Sequence, residues 1–256
     1  MQIDEFLREK VLAVQDYAIL SWNGIVNIFR RPFYWEDLFT QADLIGVGSL
    51  PIVVLTGFFT GGVLALQSAT TLAQFGAKSV TGELVSLSMI KELGPVLTGL
   101  MVSGRNASGM ASELGSMQVT EQVDAMRALG TDPSKKLVTP RLISTVVMLF
   151  FLTILSDAVG TIGGGLISVT MLGLEASQYF HRAYQTLQGP DVLEGLIKPL
   201  IFGFIIATVG CYFGMSTRGG TQGVGRSTTQ AVVVSSVLII ASDFVISRLM
   251  IGLFGR

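Results

Sequence analysis

Apolar residues in this chain gather into five long runs separated by short polar segments, and a differently patterned stretch precedes them. In residues 3–29, Ile3, Phe6, Leu7, Val11, Val14, Ala18 and Ile25 recur near one face of a helix of period 3.6. Charges stand among them at Arg8, Glu9, Lys10 and Asp16. That mixture is too polar for a membrane span and too apolar for a soluble helix. It predicts an amphipathic helix lying in the membrane interface over 1–33, ended by Arg30-Arg31-Pro32 and followed by the interfacial aromatics Phe33, Tyr34 and Trp35. The five runs predict transmembrane helices at 44–72, 84–105, 142–172, 192–215 and 229–253, since each reaches the ~20 residues that a spanning helix needs. The second helix continues past the membrane to about residue 117.

Within the first run, Gly57-Phe58-Phe59-Thr60-Gly61 is a GxxxG helix-packing pattern, with chance in a Gly-rich chain as the competing explanation. Gln67, Ser68, Thr70 and Thr71 make the end of that run polar, so it should face a wet cavity or a partner rather than lipid. Gly104, Ser108 and Ser112 share a face suited to tight packing, and Gly160 and Gly164 repeat the small-residue spacing. Residues 174–190 form a short helix outside the membrane, and 217–226 a Gly-rich basic loop. Between the second and third runs, 119–133 is polar: Glu121, Gln122 and Asp124 alternate with Val123, Ala125, Met126 and Leu129. This predicts a short surface helix with Gly130 past its C-terminus and Asp132-Pro133 as its stop. A span that runs straight into a surface helix is suited to take force from a soluble motor.

Composition sharpens the picture. Of 256 residues, 50% are hydrophobic and only 14% charged, with mean hydropathy +0.61, whereas a soluble domain carries roughly 25% charge. The chain is therefore an all-α integral membrane protein. Cys211 is the only cysteine, which excludes an internal disulfide and a cysteine metal cluster, and the lone His181 reads as a surface polar residue. The opening MQIDEFLREK does not fit a cleaved signal peptide. Gly76-Ala77-Lys78-Ser79 lacks the spacing of a phosphate loop, and no catalytic triad or metal-ligand cluster is present, so the chain is expected not to be an enzyme. In a five-span arrangement Arg8, Lys10, Arg30, Arg31, Arg127, Lys135, Lys136, Arg141, Arg218 and Arg226 fall on one side, against Lys78, Arg182 and Arg256 on the other. The first side is then cytoplasmic, with the N-terminus inside and the C-terminus outside. An odd span count argues against the inverted repeat of many secondary transporters.

Charges inside the apolar runs are the candidates for function. Lys91 and Glu92 are neighbours, about 100° apart on a helix, so they do not pair well with each other. At least one should face a cavity or a partner chain, handling a charged headgroup; a structural pair with Asp157 or Asp243 is the alternative. Asp243 and Arg248, about a turn apart, read as a structural pair or as snorkelling side chains. Arg105 and Glu113 lie two turns apart on one face, solvated or packed against the surface helix.

The segments Lys91-Glu92-Leu93-Gly94-Pro95-Val96, Gly104-Arg105, Ser112-Glu113-Leu114-Gly115-Ser116-Met117, Thr120-Glu121-Gln122 through Ala125, Gly130, Asp132-Pro133 and Pro140-Arg141 closely resemble the MlaE (YrbE) family of permeases, and the resemblance covers most of the chain. It implies the membrane subunit of an ABC transporter that moves phospholipids or related lipids, working as a homodimer. The implied partners are a cytoplasmic ATPase that holds ATP and Mg, a hexameric MCE-domain lipid-binding protein, and a STAS-domain protein. No cofactor is implied for this chain itself. The resemblance makes 119–133 the coupling helix, with Glu121, Gln122, Ala125, Met126, Gly130, Asp132 and Pro133 at the ATPase, and no metal site. It places a lipid pocket at Leu64, Thr71, Leu72, Phe75, Lys91 and Glu92. Where the family often carries Arg, this chain has Lys91, a point charge without the bidentate fork. The expected role is passage of phospholipid between a bacterial inner membrane and an MCE conduit toward or from the outer membrane, maintaining outer-membrane lipid asymmetry. The rivals are an ion-coupled secondary transporter using Glu92 and Asp157, an MCE-type importer of sterol or other hydrophobic molecules, and a scaffold that only anchors an MCE protein.

Overall fold

The computed structural model describes residues 2–254, with side chains at Arg8 and from residue 11 onward. The side chains of Ile3, Phe6, Leu7, Glu9 and Lys10 lie outside the described part, as does Arg256. Among the described residues there are eight helices and no strand. They are α1 (Gln2–Ile28), α2 (Trp35–Gln74), α3 (Lys78–Val119), α4 (Gln122–Ala128), α5 (Ser134–Thr170), α6 (Ala176–Gln185), α7 (Gly189–Met215) and α8 (Gly220–Phe254). Five of them, α2, α3, α5, α7 and α8, are long and apolar enough to cross a membrane. The helices outrun the apolar windows of the sequence. The Gly-rich segment 217–226 is mostly the first turns of α8, with only Gly219 and Gly220 in the left-handed region that lets the chain turn from α7.

The chain forms two compact units whose boundaries fall inside the five long helices. The first unit comprises Met1–Ile45, Ser103–Thr145 and Phe204–Ser235. Here α1 packs through Ser21, Gly24 and Asn27, one turn apart, which are buried. A Cβ on Gly24 would meet Leu142 at 3.5 Å, and Tyr17 donates or accepts a 2.8 Å hydrogen bond with Thr208. Val11 and Val14 of the expected apolar face are instead 64% and 67% exposed, and Trp22 is 66% exposed. An apolar face turned outward suits a helix bathed in lipid headgroups and upper acyl chains. The small-residue face at Gly104, Ser108 and Ser112 is likewise unpacked: nothing lies within 4 Å of a Cβ on Gly104. The packed face of α3 is Ala107, Met110, Ala111 and Leu114, against which Gly210 and Gly214 of α7 close. Glu113 is paired with the buried Arg141 at 2.8 Å, while Arg105 is exposed.

The second unit comprises Gly46–Val102, Val146–Gly203 and Ser236–Arg256. Its centre is a crossing of α2 and α5. A Cβ on Gly57 would lie 2.8 Å from the Ser156 carbonyl, and one on Gly164 would lie 3.0 Å from that of Gly61. A Cβ on Gly61 would strike the Gly160 backbone. The two glycine patterns thus meet backbone to backbone, the van der Waals contact that drives association in lipid. Met89, Val85, Ala65 and Tyr179 form a buried cluster beside this crossing, with Leu64 and Leu93 packed on it. Tyr179 comes from α6, which the sequence places outside the membrane; its hydroxyl donates to the Thr161 carbonyl at 3.2 Å, and burial pushes the phenol pKa up. His181 is exposed on the same helix.

The crossing is testable by thermal unfolding in detergent. Gly61→Ala should lower stability by about 1–3 kcal/mol through overpacking, whereas Gly109→Ala, which meets nothing within 4 Å, should be neutral or mildly stabilising. Equal melting temperatures for the two variants would remove the close contact.

Candidate functional site

The site begins with a proline. Pro95 lies within α3 and has no N–H, so the carbonyl four residues earlier, that of Lys91, loses its helical donor. The helix responds by widening to a π-turn over Met89–Leu93, where the Gly94 N–H reaches the Met89 carbonyl. The released Lys91 carbonyl accepts a 2.7 Å hydrogen bond from the ammonium of Lys198 on α7. Gly195 permits this approach, because a Cβ there would strike the Ile90 carbonyl.

Lys198 is 0% exposed and gathers carboxylates around its ammonium: Glu92 at 2.7 Å, Asp243 of α8 at 3.0 Å and Glu194 at 3.6 Å. Lys91 points to Asp191 at 3.0 Å and Glu194 at 3.4 Å. Ser247 donates to the other Glu92 oxygen at 3.0 Å. Two lysines and four carboxylates thus make one network across α3, α7 and α8. At membrane depth a charge persists only where it is paired or wet, and here Glu92, with 44% of its side chain exposed, is the member that reaches outward.

This arrangement corrects the pairings expected from sequence. Neither Asp157 nor Asp243 binds Lys91, and Asp243 turns to Lys198 while Arg248 is exposed. Asp157 packs its Oδ1 against Gly94, where that atom has no hydrogen-bond partner. Asp191, Glu194 and Lys198 were given no role in the sequence reading. A lone lysine amid the apolar stretch of α7, one turn after Glu194, is the signal that could have found them.

Beside the network, Phe59, Thr60, Val63, Leu64, Gln67 and Leu93 line a cavity of about 330 Å³. Leu64 is half-buried, and Leu93, next to Glu92 in α3, is the one residue of that helix in the lining. Thr71 and Phe75 continue along α2 as exposed residues, with Leu72 half-buried; they do not line this cavity.

In the first unit, α3 ends at Val119 and α4 begins at Gln122, so the chain reverses over two residues. Glu121 makes this possible at φ 59°, a left-handed conformation that costs a non-glycine residue energy. The far end closes with Gly130 at φ 79°: its N–H reaches the Arg127 carbonyl at 3.0 Å and the Thr131 N–H the Met126 carbonyl at 2.9 Å, a Schellman closure. Glu121, Gln122, Ala125, Gly130 and Asp132 are exposed and Met126 is half-buried. Pro133 is buried, and Asp132 accepts from the Ser134 N–H at 2.9 Å, so this pair seats the start of α5. Val123 anchors α4 from beneath at 0% exposure, and Leu129 stands out at 84%.

The family Permease MlaE matches residues 38–249. The chain belongs to the MlaE permease family. A protein of Rickettsia bellii described as a probable ABC transporter permease is 44% identical over 237 residues, 93% of this chain and 92% of that protein. The intermembrane phospholipid transport system permease protein MlaE of Haemophilus influenzae is 33% identical over 216 residues, 84% of this chain and 83% of that one. TRIGALACTOSYLDIACYLGLYCEROL 1, a chloroplast protein of Arabidopsis thaliana, is 36% identical over 229 residues, covering 90% of this chain and 65% of that protein. The chain is thus a multi-pass membrane permease subunit of an ABC transporter, and membership implies a partner ATPase. The family match contains the whole charge network and α4, while α1 lies outside it.

Two outcomes follow for this site. Lys198→Met leaves Glu92 and Asp243 without their cation, Glu194 keeping Lys91, and should cost about 3 kcal/mol, the low end for a broken buried pair because Glu92 is partly exposed. Adding Glu92→Gln and Asp243→Asn should recover much of that loss, read as melting temperature in detergent. Glu121→Gly should stabilise the α3–α4 turn by about 1 kcal/mol and Glu121→Val destabilise it; similar melting temperatures would mean the turn is not strained.

Proposed function

We propose that this permease moves phospholipid, holding it in the cavity on α2 and extruding it when a partner ATPase closes. The observation that carries this reading is a largely apolar cavity on α2 with Thr60 and Gln67 as its polar members. Leu64, Val63 and Leu93 suit acyl chains and Gln67 a headgroup, and Glu92, next to Leu93 in α3 and partly exposed, is the charge offered nearby; Lys91 is engaged with Asp191 and Glu194. The name of the Haemophilus relative supports phospholipid as the substrate class. Leu72 and Phe75 extend the apolar path along α2 with Thr71 as a polar point on it, and the exposed stripe Leu55, Phe59 and Val63 offers a surface for a second copy.

The α4 surface of Glu121, Gln122, Ala125, Met126, Gly130 and Asp132 docks on the ATPase, which holds ATP and Mg; the buried Pro133 braces it from behind. Nucleotide-driven closure draws the two α4 copies together and narrows the cavity, and lipid leaves because its contacts differ between the two states. The chain lies in a bacterial inner membrane. Arg30, Arg31, Arg127, Arg218 and Arg226, all exposed, support a cytoplasmic N-terminus and α4 and a periplasmic C-terminus by the positive-inside rule. An MCE-domain protein receives or delivers the lipid between this membrane and the outer one, and a STAS-domain protein joins the ATPase.

Mass spectrometry of lipid co-purified with the complex tests the assignment. Leu64→Trp, which fills the cavity, should reduce bound phospholipid several-fold, and Glu92→Gln should change the headgroup distribution. An unchanged lipid load in both variants would remove the cavity from the transport path.

A further inference from the structure

A second cavity, unrelated to the charge network, lies where α1 gives way to α2 and meets the start of α5. It encloses about 180 Å³ and is walled by Ile28, Phe33, Tyr34, Trp35 and Ile143, with Lys135 as its charged member. Its rim is basic. Arg30 and Arg31 are exposed beside it, and Lys135 donates to the Arg31 carbonyl, tying the two basic pairs together. Lys136 stands over the Tyr34 ring, 5.0 Å from its centroid. Two carboxylates oppose these charges. Asp37 lies 3.8 Å from Lys136, and Glu36 is exposed on the first turn of α2. Four cations against two anions leave the rim positive.

Around the same rim Phe33, Trp35 and Phe39 are 46%, 60% and 66% exposed, with Trp35 stacked on Phe39 and tilted against Phe33. Aromatic rings exposed beside clustered Lys and Arg match a membrane–water boundary, where rings sit at headgroup depth and the cations meet lipid phosphates. A free phosphate ion would use the cations but not the apolar wall. An anionic phospholipid uses both: its headgroup meets Arg30, Arg31 and Lys136, and its glycerol and upper acyl chain enter between Ile28, Trp35 and Ile143. We propose that this crevice is a binding site for an anionic phospholipid of the surrounding bilayer, distinct from the cavity on α2, tethering the junction of α1, α2 and α5.

The two tryptophans make it measurable. Trp22→Phe leaves Trp35 as the sole reporter, and Trp22 is largely exposed, so the fold should tolerate the change. The full chain is reconstituted into phosphatidylcholine bilayers in which either brominated phosphatidylglycerol or brominated phosphatidylcholine is present at equal mole fraction. Trp35 should be quenched more strongly by the anionic lipid, with a relative affinity about fivefold higher for each basic residue engaged. Arg30→Gln with Arg31→Gln, both exposed, should bring the two lipids to near-equal quenching. Equal quenching in the Trp22→Phe protein, or a preference that survives the double substitution, overturns the proposal. Relief of the quenching by millimolar inorganic phosphate at constant ionic strength would make the site one for free phosphate and also overturn it. Lipid load at the α2 cavity is a separate readout, so this site and the transport reading fail independently.

Discussion

The constraint on which the site depends is a missing N–H. Pro95 cannot donate to the Lys91 carbonyl, and α3 widens to a π-turn around that loss. In water the carbonyl would be solvated. In a membrane-spanning helix an unsatisfied backbone group costs several kcal/mol, so a donor from a neighbouring helix is stabilising there. Lys198 supplies the donor at 2.7 Å. A lysine placed there brings its charge along, and that charge is sustained by Glu92, Asp243 and Glu194. One backbone defect thus organises residues from three helices.

The consequence for function is mechanical. The π-turn places Leu93 as a wall of the α2 cavity, and the network holds that turn by its carbonyl, by Lys91 and by Glu92. The α3 side of the cavity is therefore tied to α7 and α8, while the α2 side presents Phe59, Val63 and Gln67, which are exposed. Interactions among buried charges weigh little as net stability. Their value is geometric: in the proposed mechanism a lipid held against that wall is released by displacing the other.

The helical architecture was legible because membrane spans write themselves as long apolar runs, and the short polar α4 stood out between two of them. The glycine pairs of α2 and α5 were legible as patterns, though only the structure shows them meeting. The face of Gly104, Ser108 and Ser112 misled, because small size permits packing without requiring a neighbour. The network was half legible. Lys91 and Glu92 declared themselves as charges in an apolar run, but their partners lie about a hundred residues or more away on α7 and α8, and no local spacing encodes such contacts. For α1, periodicity found a helix but not which face packs: Ser21, Gly24 and Asn27 face protein because small and polar groups fit against α5, while valines face outward.

The most direct measurement of the central claim is photo-crosslinking from a benzophenone amino acid at position 64 in the reconstituted transporter, with and without nucleotide trapping. The account predicts a phospholipid adduct in the nucleotide-free state that is lost when the ATPase is trapped closed. An adduct of equal yield in both states would contradict it, because lipid would then be present at Leu64 whether or not the cavity had been driven shut.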